Sequence, residues 1–355
     1  MTSFKANARP VLVGSLPMTD HDAATKLVLA HTPEIPLWVQ LPQFLEEGMI
    51  NQFLPGLPGL AKQGDKIFLD TGKEEFDEEF LAFFEDYLAL SEPGADLEGS
   101  RFTFTEQTGK GFAEFLRQVD NSATPFTTLK GQVTGPITFA TAVKDQQGKD
   151  IFYNDQLRDA AVKRLALNAG WQARTFARRG ATPIIFLDEP ALAGFGTSAY
   201  ITITREEVMA CIDEIVEFIH RENGLAGVHV CANTEWDMLL ETSIDIINFD
   251  AFSYFDRFIL YPKQIKSFIA KGGILAMGIV PTEKADVISA QTLDGLSRMF
   301  EDQISQLIEI LGMDRQAILE QVLITPSCGT GSLDFNSAKR VLELTRDLSA
   351  AVRKV

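Results

Sequence analysis

The sequence is poor in cysteine and histidine, with three cysteines and four histidines in 355 residues. A small, odd number of cysteines does not build a disulfide framework, so each is expected to be a free thiol or a metal ligand in a reducing compartment. Long apolar runs are missing too: no stretch reaches the length that spans a bilayer, and the first ten residues lack the apolar region of a signal peptide. We therefore expect a cytoplasmic protein without a membrane-spanning segment.

Basic residues are outnumbered by acidic ones, which gives a formal net charge of −17. We expect neither nucleic acid nor an anionic membrane as a partner, because their phosphates would be repelled by such a surface. The apolar fraction of 45% is enough for a full core, which excludes the disordered and fibrous classes. A small ligand or a basic protein partner fits this composition better.

Eight short β-type runs alternate along the chain with longer stretches of helical periodicity. The runs are VLVGS (11–15), PLWVQLP (36–42), TLKGQVTGP (128–136), PIIFLDEP (183–190), GVHVCAN (227–233), DIINFDAF (245–252), GILAMGIV (273–280) and VLITPSCG (322–329). A strand followed by a helix, repeated eight times, is the count of a (β/α)₈ barrel. A doubly wound open sheet is the alternative fold, because periodicity alone does not distinguish the two.

The segment from about Lys62 to Gln118 interrupts this alternation and predicts an inserted acidic helical region. Phenylalanines recur at helical spacing in EEFDEEFLAFFEDYLALSEPG, whose other positions are strongly acidic. We interpret this stripe as the packed face of an amphipathic helix that covers the barrel, and a lid or docking surface beside the barrel mouth is the alternative. No repeat or linker divides the chain, so residues 1–355 are expected to form a single domain.

His229 and Cys231 lie two residues apart in GVHVCAN, so on a strand both side chains point to the same side. Asp250 ends the next run and Cys328 the last, and the carboxyl ends of parallel strands meet at one face of a barrel. An imidazole, two thiolates and a carboxylate match the ligation that zinc prefers, whereas thiolates disfavour magnesium and calcium. These four residues are the candidate metal ligands; the alternative is a small buried cysteine beside a core histidine.

The third cysteine, Cys211, lies among apolar residues in the helical pattern EEVMACIDEIVEFI, and we interpret it as a core residue. The other histidines lie in helical or loop contexts without a neighbouring cysteine. We assign no function to these three: His21, His31 and His220.

Several motifs carry a family resemblance: V-G-S-L-P (13–17), V-T-G-P-I-T (133–138), F-L-D-E-P-A-L (186–192), H-V-C (229–231), the strand ending in Asp250, and P-S-C-G (326–329). They occur in the order found in the catalytic barrel of cobalamin-independent methionine synthase, and the chain resembles that family over nearly its whole length. The most specific parts are D-E-P-A-L and H-V-C with the late cysteine. The resemblance implies a (β/α)₈ barrel within a superfamily that also contains methylcobamide:coenzyme M methyltransferases and uroporphyrinogen decarboxylase.

The resemblance implies a zinc-dependent methyltransferase that methylates the thiol of homocysteine to give methionine. By this likeness His229, Cys231, Asp250 and Cys328 would hold the zinc, with Asp250 standing where the long enzymes usually have glutamate. A free thiol has a pKa of about 8.5 and is mostly protonated at neutral pH, whereas coordination to zinc deprotonates it. A ligand set with two thiolates and a carboxylate keeps the bound sulfur nucleophilic, which favours alkyl transfer over hydrolysis.

The resemblance also implies an amino-acid pocket. Backbone N–H groups in the turn at Gly14 and Ser15 would bind the carboxylate of homocysteine, and Asp188 would bind its ammonium group. Glu47, in QLPQFLEEGM, is a second candidate for the ammonium group, although the motif around it differs from that of the family. From the residues alone, a tight turn and a capping carboxylate would explain the G-S turn and Asp188 equally well.

Two departures from the family bear on the methyl donor. Full-length cobalamin-independent synthases carry an additional N-terminal barrel that helps to hold the folate donor, whereas the motifs begin here at residue 11. Their seventh strand ends in a histidine thought to protonate the departing folate, and M-G-I-V-P-T (277–282) has none. A general acid matters less when the methyl group departs from cobalt, which is a good leaving group. We therefore expect a methylated corrinoid, presented by a separate corrinoid protein, as the donor.

Alternative functions stay open. A methylcobamide:coenzyme M-type methyltransferase would share the zinc motif but would need a basic pocket for a sulfonate, whereas Asp188 and Glu47 favour an amino acid. Uroporphyrinogen decarboxylase needs neither zinc nor these cysteines, and the arginines it uses are missing from the first strands here. A non-catalytic zinc- or corrinoid-binding module would keep the ligands without turnover.

Overall fold

A six-stranded parallel sheet lies at the centre of the computed structural model, which describes residues 4–197 and 200–354. The strands are, in chain order, β1 (Leu60–Gln63), β2 (Lys66–Leu69), β3 (Thr128–Thr134), β4 (Thr182–Asp188), β5 (Leu225–Val230), β6 (Ile246–Phe249), β7 (Ile274–Val280) and β8 (Val322–Pro326). β1 and β2 form a separate antiparallel hairpin, whereas β3 to β8 lie side by side in consecutive order. This order disagrees with the doubly wound alternative, in which the strand order reverses at a switch point.

Helices follow most strands of the sheet, as the alternating sequence pattern predicts. They are α1 (His21–His31), α2 (Phe76–Leu90), α3 (Lys110–Asp120), α4 (Pro136–Ala142), α5 (Asp155–Ala177), α6 (Arg205–Arg221), α7 (Trp236–Leu240), α8 (Ala251–Phe258), α9 (Pro262–Ala270), α10 (Ala285–Ser289), α11 (Leu293–Leu311), α12 (Arg315–Leu319) and α13 (Phe335–Val352). α6 begins with a capping box in which Thr204 and Glu207 each satisfy the other's backbone N–H. Within the described ranges, no helix combines the length and the apolarity needed to cross a bilayer.

Two extended segments connect the outer strands β8 and β3. The isolated parallel bridges that join them are Pro10–Ile324, Ser15–Gln40 and Leu37–Lys130. The prediction of eight strands is therefore confirmed for six, while the runs 11–15 and 36–42 form only local bridges. Their pairing is confined to a few hydrogen bonds, such as those from Gln40 N to Gly14 O at 3.1 Å and from Leu16 N to Gln40 O at 3.0 Å.

The sheet is buried on both faces, which explains why its strands appear in the sequence as apolar runs. Side chains of β4 alternate between two apolar clusters. Ile184 and Phe186 belong to a small inner cluster, whereas Ile185 and Leu187 belong to the larger cluster between the sheet and the helices.

The inserted segment begins with the β1–β2 hairpin and continues with α2 and α3. The prediction of helix was wrong at its start, because Gly64 has a positive φ of 60° and closes a tight turn between two strands. The packing prediction for the phenylalanine stripe is confirmed: Phe76 and Phe83 are buried, and Phe80 and Phe84 pack against the main core.

A buried arginine ties the insertion to α5. Arg164 donates hydrogen bonds to the carbonyl oxygens of Pro55, Phe102 and Thr103, at 2.9, 2.7 and 3.3 Å. One turn later, the amide of Asn168 donates to Phe102 O at 2.9 Å. Burial lowers the pKa of Arg164 to about 9. These bonds make the insertion part of the packed structure.

Candidate metal centre

Three of the four predicted ligands meet at the carboxyl ends of β5 and β8. His229 lies within β5, Cys231 follows its last residue, and Cys328 lies two residues beyond β8. The possible ligand atoms of these three side chains all lie within 4.8 Å of one another. The structure therefore brings these three side chains together, as the i and i+2 spacing and the positions at the strand ends predict.

The imidazole of His229 is buried, and its two nitrogens have different surroundings. Nδ1 is 2.6 Å from Oδ1 of Asn248, the residue paired with His229 on the neighbouring strand β6. Nε2 is buried and has no hydrogen-bond partner in the structure. A buried nitrogen without a partner costs about 1–3 kcal/mol, so this atom is suited to a ligand.

The two thiols interact directly. The pKa of Cys231 is lowered, first because the thiol of Cys328 forms a hydrogen bond with it and then because the imidazole of His229 interacts directly with its sulfur. The same hydrogen bond, followed by burial, raises the pKa of Cys328. The pair therefore favours one thiolate and one thiol, and a dication nearby would favour the second deprotonation.

These three residues fit zinc. A nitrogen and two sulfurs are the donor types that zinc prefers, and three protein ligands leave a fourth position for a substrate atom. Zinc requires a free imidazole nitrogen and a deprotonated thiol from its ligands. The unpartnered Nε2 of His229 and the lowered pKa of Cys231 meet these two requirements.

Asp250 is not part of this three-residue group. Its carboxylate accepts a hydrogen bond from Ser253 N at 2.8 Å and caps the first turn of α8. Burial is the main cause of its raised pKa, and the charge of Cys231 contributes. Asp250 therefore lies near the thiols with a capping role of its own, and its role as a zinc ligand stays a prediction.

A cavity of about 410 Å³ opens beside the three candidate ligands. Ser15, Glu47 and Asp188 line it together with His229, Cys231 and Cys328, whereas Gly14 does not. Asp188 pairs with His229 in the register of β4 and β5. Its Oδ1 is buried without a hydrogen-bond partner, and burial raises its pKa to about 6. The cavity is therefore lined both by the two thiols and by a carboxylate that has one unpartnered oxygen.

The turn at Gly14 and Ser15 packs against the loop that carries Cys328. Ser15 O accepts hydrogen bonds from Thr330 N and Thr330 Oγ1, both at 3.0 Å. A Cβ on Gly329 would lie 2.3 Å from Ser15 Oγ, so a larger residue there would force the serine hydroxyl to move. The turn is thus fixed relative to the thiol of Cys328.

Glu47 is buried, and both of its carboxylate oxygens are already engaged. Oε1 is 2.6 Å from Nε2 of His21, and Oε2 accepts a hydrogen bond from Leu41 N at 3.1 Å. Asp188 is therefore the better placed of the two predicted ammonium partners. His21, to which the sequence assigned no function, proves to orient Glu47.

Asn248 was missed at the sequence level, although a signal for it exists. It is a fully buried polar residue in the apolar run DIINFD, two positions before Asp250 and so on the same face of its strand. An amide inside a buried strand needs specific hydrogen-bond partners, so such a residue is a candidate for a role in orienting a neighbouring side chain.

Comparison with known proteins agrees with the resemblance found in the sequence motifs. No protein-family model matches the chain. A methionine synthase of Methanocaldococcus jannaschii is 24% identical over 242 residues, which cover 65% of this chain and 69% of that protein. A Listeria monocytogenes structure named for the vitamin-B12-independent methionine synthases aligns with 97% of this chain and 98% of its own, with a TM-score of 0.55 and 13% identity. At that identity the second likeness concerns the fold alone. The resemblance to the cobalamin-independent methionine synthase family is confirmed.

Proposed function

We propose that this chain is a zinc-dependent methyltransferase that methylates the thiol of homocysteine to give methionine, with a methylated corrinoid as the donor. The observation that carries the proposal is the group of His229, Cys231 and Cys328 at the edge of the cavity. The sequence likeness to a methionine synthase supports this class of reaction.

The proposal includes the architecture. We count the bridged segments 10–15 and 36–40 as the first two strands of a closed (β/α)₈ barrel that forms a single catalytic domain. Hydrogen bonds from Val11 N to Ile324 O at 2.9 Å and from Lys130 N to Pro36 O at 2.9 Å support this closure. Active sites of such barrels lie at the carboxyl ends of the strands, where the thiols lie here. We place the protein in the cytoplasm, where cysteines stay reduced.

Substrate binding is assigned to residues that line the cavity. Zinc held by His229, Cys231 and Cys328 would keep the acceptor sulfur deprotonated and nucleophilic. Asp188 binds the ammonium group of homocysteine through its unpartnered oxygen, and the backbone of the turn at Ser15 binds the carboxylate. An amino acid is therefore favoured over a sulfonate such as coenzyme M.

The residues at the end of β7 bear on the identity of the methyl donor. Thr282 Oγ1 and Ser327 Oγ are 3.0 Å apart there, and the stretch 277–282 contains no histidine. In the proposed reaction the acceptor sulfur bonds to the methyl carbon, the carbon–cobalt bond breaks with its electron pair left on cobalt, and the thiol proton passes to solvent. No acid from the chain is needed for this leaving group. A separate corrinoid protein is the proposed partner.

The test is methyl transfer by purified protein supplied with zinc. We expect methionine from homocysteine with methylcobalamin or a methylated corrinoid protein, and none with methyltetrahydrofolate. Efficient turnover with folate would overturn the donor assignment. Methylation of 2-mercaptoethanesulfonate in preference to homocysteine would favour the coenzyme M type, and zinc binding without methylation of any thiol would identify a non-catalytic module.

A further inference from the structure

We propose that Asn248 is a positioning residue that selects the tautomer of His229 and thereby presents Nε2 to the metal. This inference rests on the metal site proposed above. Asn248 and His229 are register partners on β6 and β5, with exposed fractions of 0% and 3%. Neither side chain can exchange its partner for bulk water, so the hydrogen bond between them is fixed by the protein.

The orientation of the Asn248 amide follows from its donors. Nδ2 donates to the backbone carbonyl of Ala276 at 2.7 Å and to Oγ1 of Thr325 at 2.8 Å. A carbonyl oxygen only accepts hydrogen bonds, so the NH₂ group must face Ala276. A flipped amide would place Oδ1 against that carbonyl and lose this bond, whereas the Thr325 hydroxyl could bond to either amide atom. Oδ1 therefore faces His229.

The tautomer of His229 follows from this orientation. Oδ1 of Asn248 can only accept, so the 2.6 Å contact requires that Nδ1 of His229 carry the hydrogen. In a neutral imidazole with a hydrogen on Nδ1, the lone pair lies on Nε2, and that nitrogen is buried without a partner. Asn248 thus leaves Nε2 as the nitrogen that can bind the metal.

The bonds to Ala276 and Thr325 anchor this arrangement across neighbouring strands. Ala276 belongs to β7 and Thr325 to β8, so the orientation of an imidazole on β5 is set by a main-chain carbonyl two strands away and a hydroxyl three strands away. Residues beyond the ligands that orient a metal-bound histidine typically change metal affinity by about 10–100-fold when they are replaced.

Two substitutions separate the hydrogen bond from packing. Asn248→Leu keeps much of the volume but removes the acceptor for Nδ1. Asn248→Asp keeps an acceptor, but it buries a charge and turns a second oxygen towards Ala276 O. We expect the leucine variant to lose about 10–100-fold in zinc affinity and the aspartate variant to keep more affinity than the leucine variant, even if it is the less stable of the two. A purely structural role predicts that zinc affinity follows stability.

The measurements are zinc affinity by competition with a chromophoric chelator and the visible absorption of the cobalt(II)-substituted protein, which reports ligand geometry. Asn168→Leu is the matched control, because Asn168 is also a fully buried amide with side-chain and backbone partners, on α5. We expect its zinc affinity and cobalt spectrum to match the wild type. Wild-type affinity and spectrum in Asn248→Leu, or no advantage for the aspartate variant, would overturn the inference.

A measurement on the unaltered protein covers the case in which a variant does not fold. Nitrogen-15 NMR of the metal-free wild type, recorded at a pH at which the imidazole is neutral, distinguishes the two histidine tautomers, and we expect His229 with its hydrogen on Nδ1. The opposite tautomer would overturn the role of Asn248. Failure of the wild type to bind zinc would instead refute the metal site of the proposed function, so the two failures are distinguishable.

Discussion

Two neighbouring carboxylates of the D-E-P motif, one at the cavity and one at the start of α4, differ in their hydrogen bonding. Glu189 is fully buried and accepts hydrogen bonds from Ile137 N, Thr138 N and Thr138 Oγ1, at 2.8, 2.8 and 2.6 Å. Asp188, one residue earlier on β4, has a buried oxygen with no partner. The motif thus serves two faces of the sheet: Glu189 holds the start of α4, and Asp188 lines the cavity.

The same contrast separates the insertion from the candidate metal centre. Arg164 satisfies its buried guanidinium with three carbonyl oxygens, whereas Nε2 of His229 is buried without a partner. A buried polar group without a hydrogen-bond partner costs about 1–3 kcal/mol, and the chain avoids this cost at Arg164 and Glu189. Of the five buried side-chain atoms without a partner in the described residues, two, Asp188 Oδ1 and His229 Nε2, belong to residues that line the cavity with the thiols, and this coincidence indicates a binding site.

The largest expected effect comes from removing a thiol at the candidate metal centre. Zinc sites with a full ligand set contribute roughly 10–16 kcal/mol, so one ligand is expected to be worth about 3–4 kcal/mol. We predict that Cys328→Ser loses more than about 100-fold in zinc affinity, measured by chelator competition.

Cys211→Ser is the matched control for this prediction. Burial raises the pKa of Cys211 to about 12, and it packs in the core on α6. Its serine variant should bind zinc like the wild type while losing some stability. Equal loss of zinc affinity in both variants would remove the distinction between core thiol and ligand thiol.

The second prediction concerns the buried hydrogen bonds between Arg164 and the insertion. Arg164→Met leaves the carbonyl oxygens of Pro55, Phe102 and Thr103 without the guanidinium. We expect a loss of about 2–3 kcal/mol in the free energy of unfolding, measured by urea denaturation of the metal-free protein. Zinc affinity should stay within about twofold of the wild type. A parallel loss of zinc affinity would show that the insertion and the metal centre are coupled.

The sequence was informative where function depends on spacing along one strand. His229 and Cys231 could be paired because alternate residues share a face, and Cys328 could be added because it follows the last strand. Asp250 shows the limit of this reasoning. An aspartate between a strand and a helix suits both a ligand and an N-cap, and only the contact with Ser253 N reveals the capping role.

Contacts between distant segments could not be predicted from the sequence. The pairing of His21 with Glu47 depends on how α1 packs beside the second predicted strand, and periodicity carries no information about it. The orientation of Asn248 depends on two partners 28 and 77 residues away. The first two strands were predicted as full strands because their apolar character does not reveal how few residues pair.

The smallest expected effect tests whether burial or hydrogen bonding controls Glu189. Burial raises its pKa to about 7 against three opposing hydrogen bonds, so between about pH 4.5 and 7 the folded protein holds a proton that the unfolded chain has lost. Stability from this group is therefore present at low pH and falls as the pH rises. Relative to Glu189→Gln, which cannot titrate, the wild type should lose about 2 kcal/mol of unfolding free energy between pH 5 and 8, measured in urea with a chelator present. A relative gain over that range would mean that the bonds to Ile137 and Thr138 outweigh burial and keep this satisfied carboxylate charged.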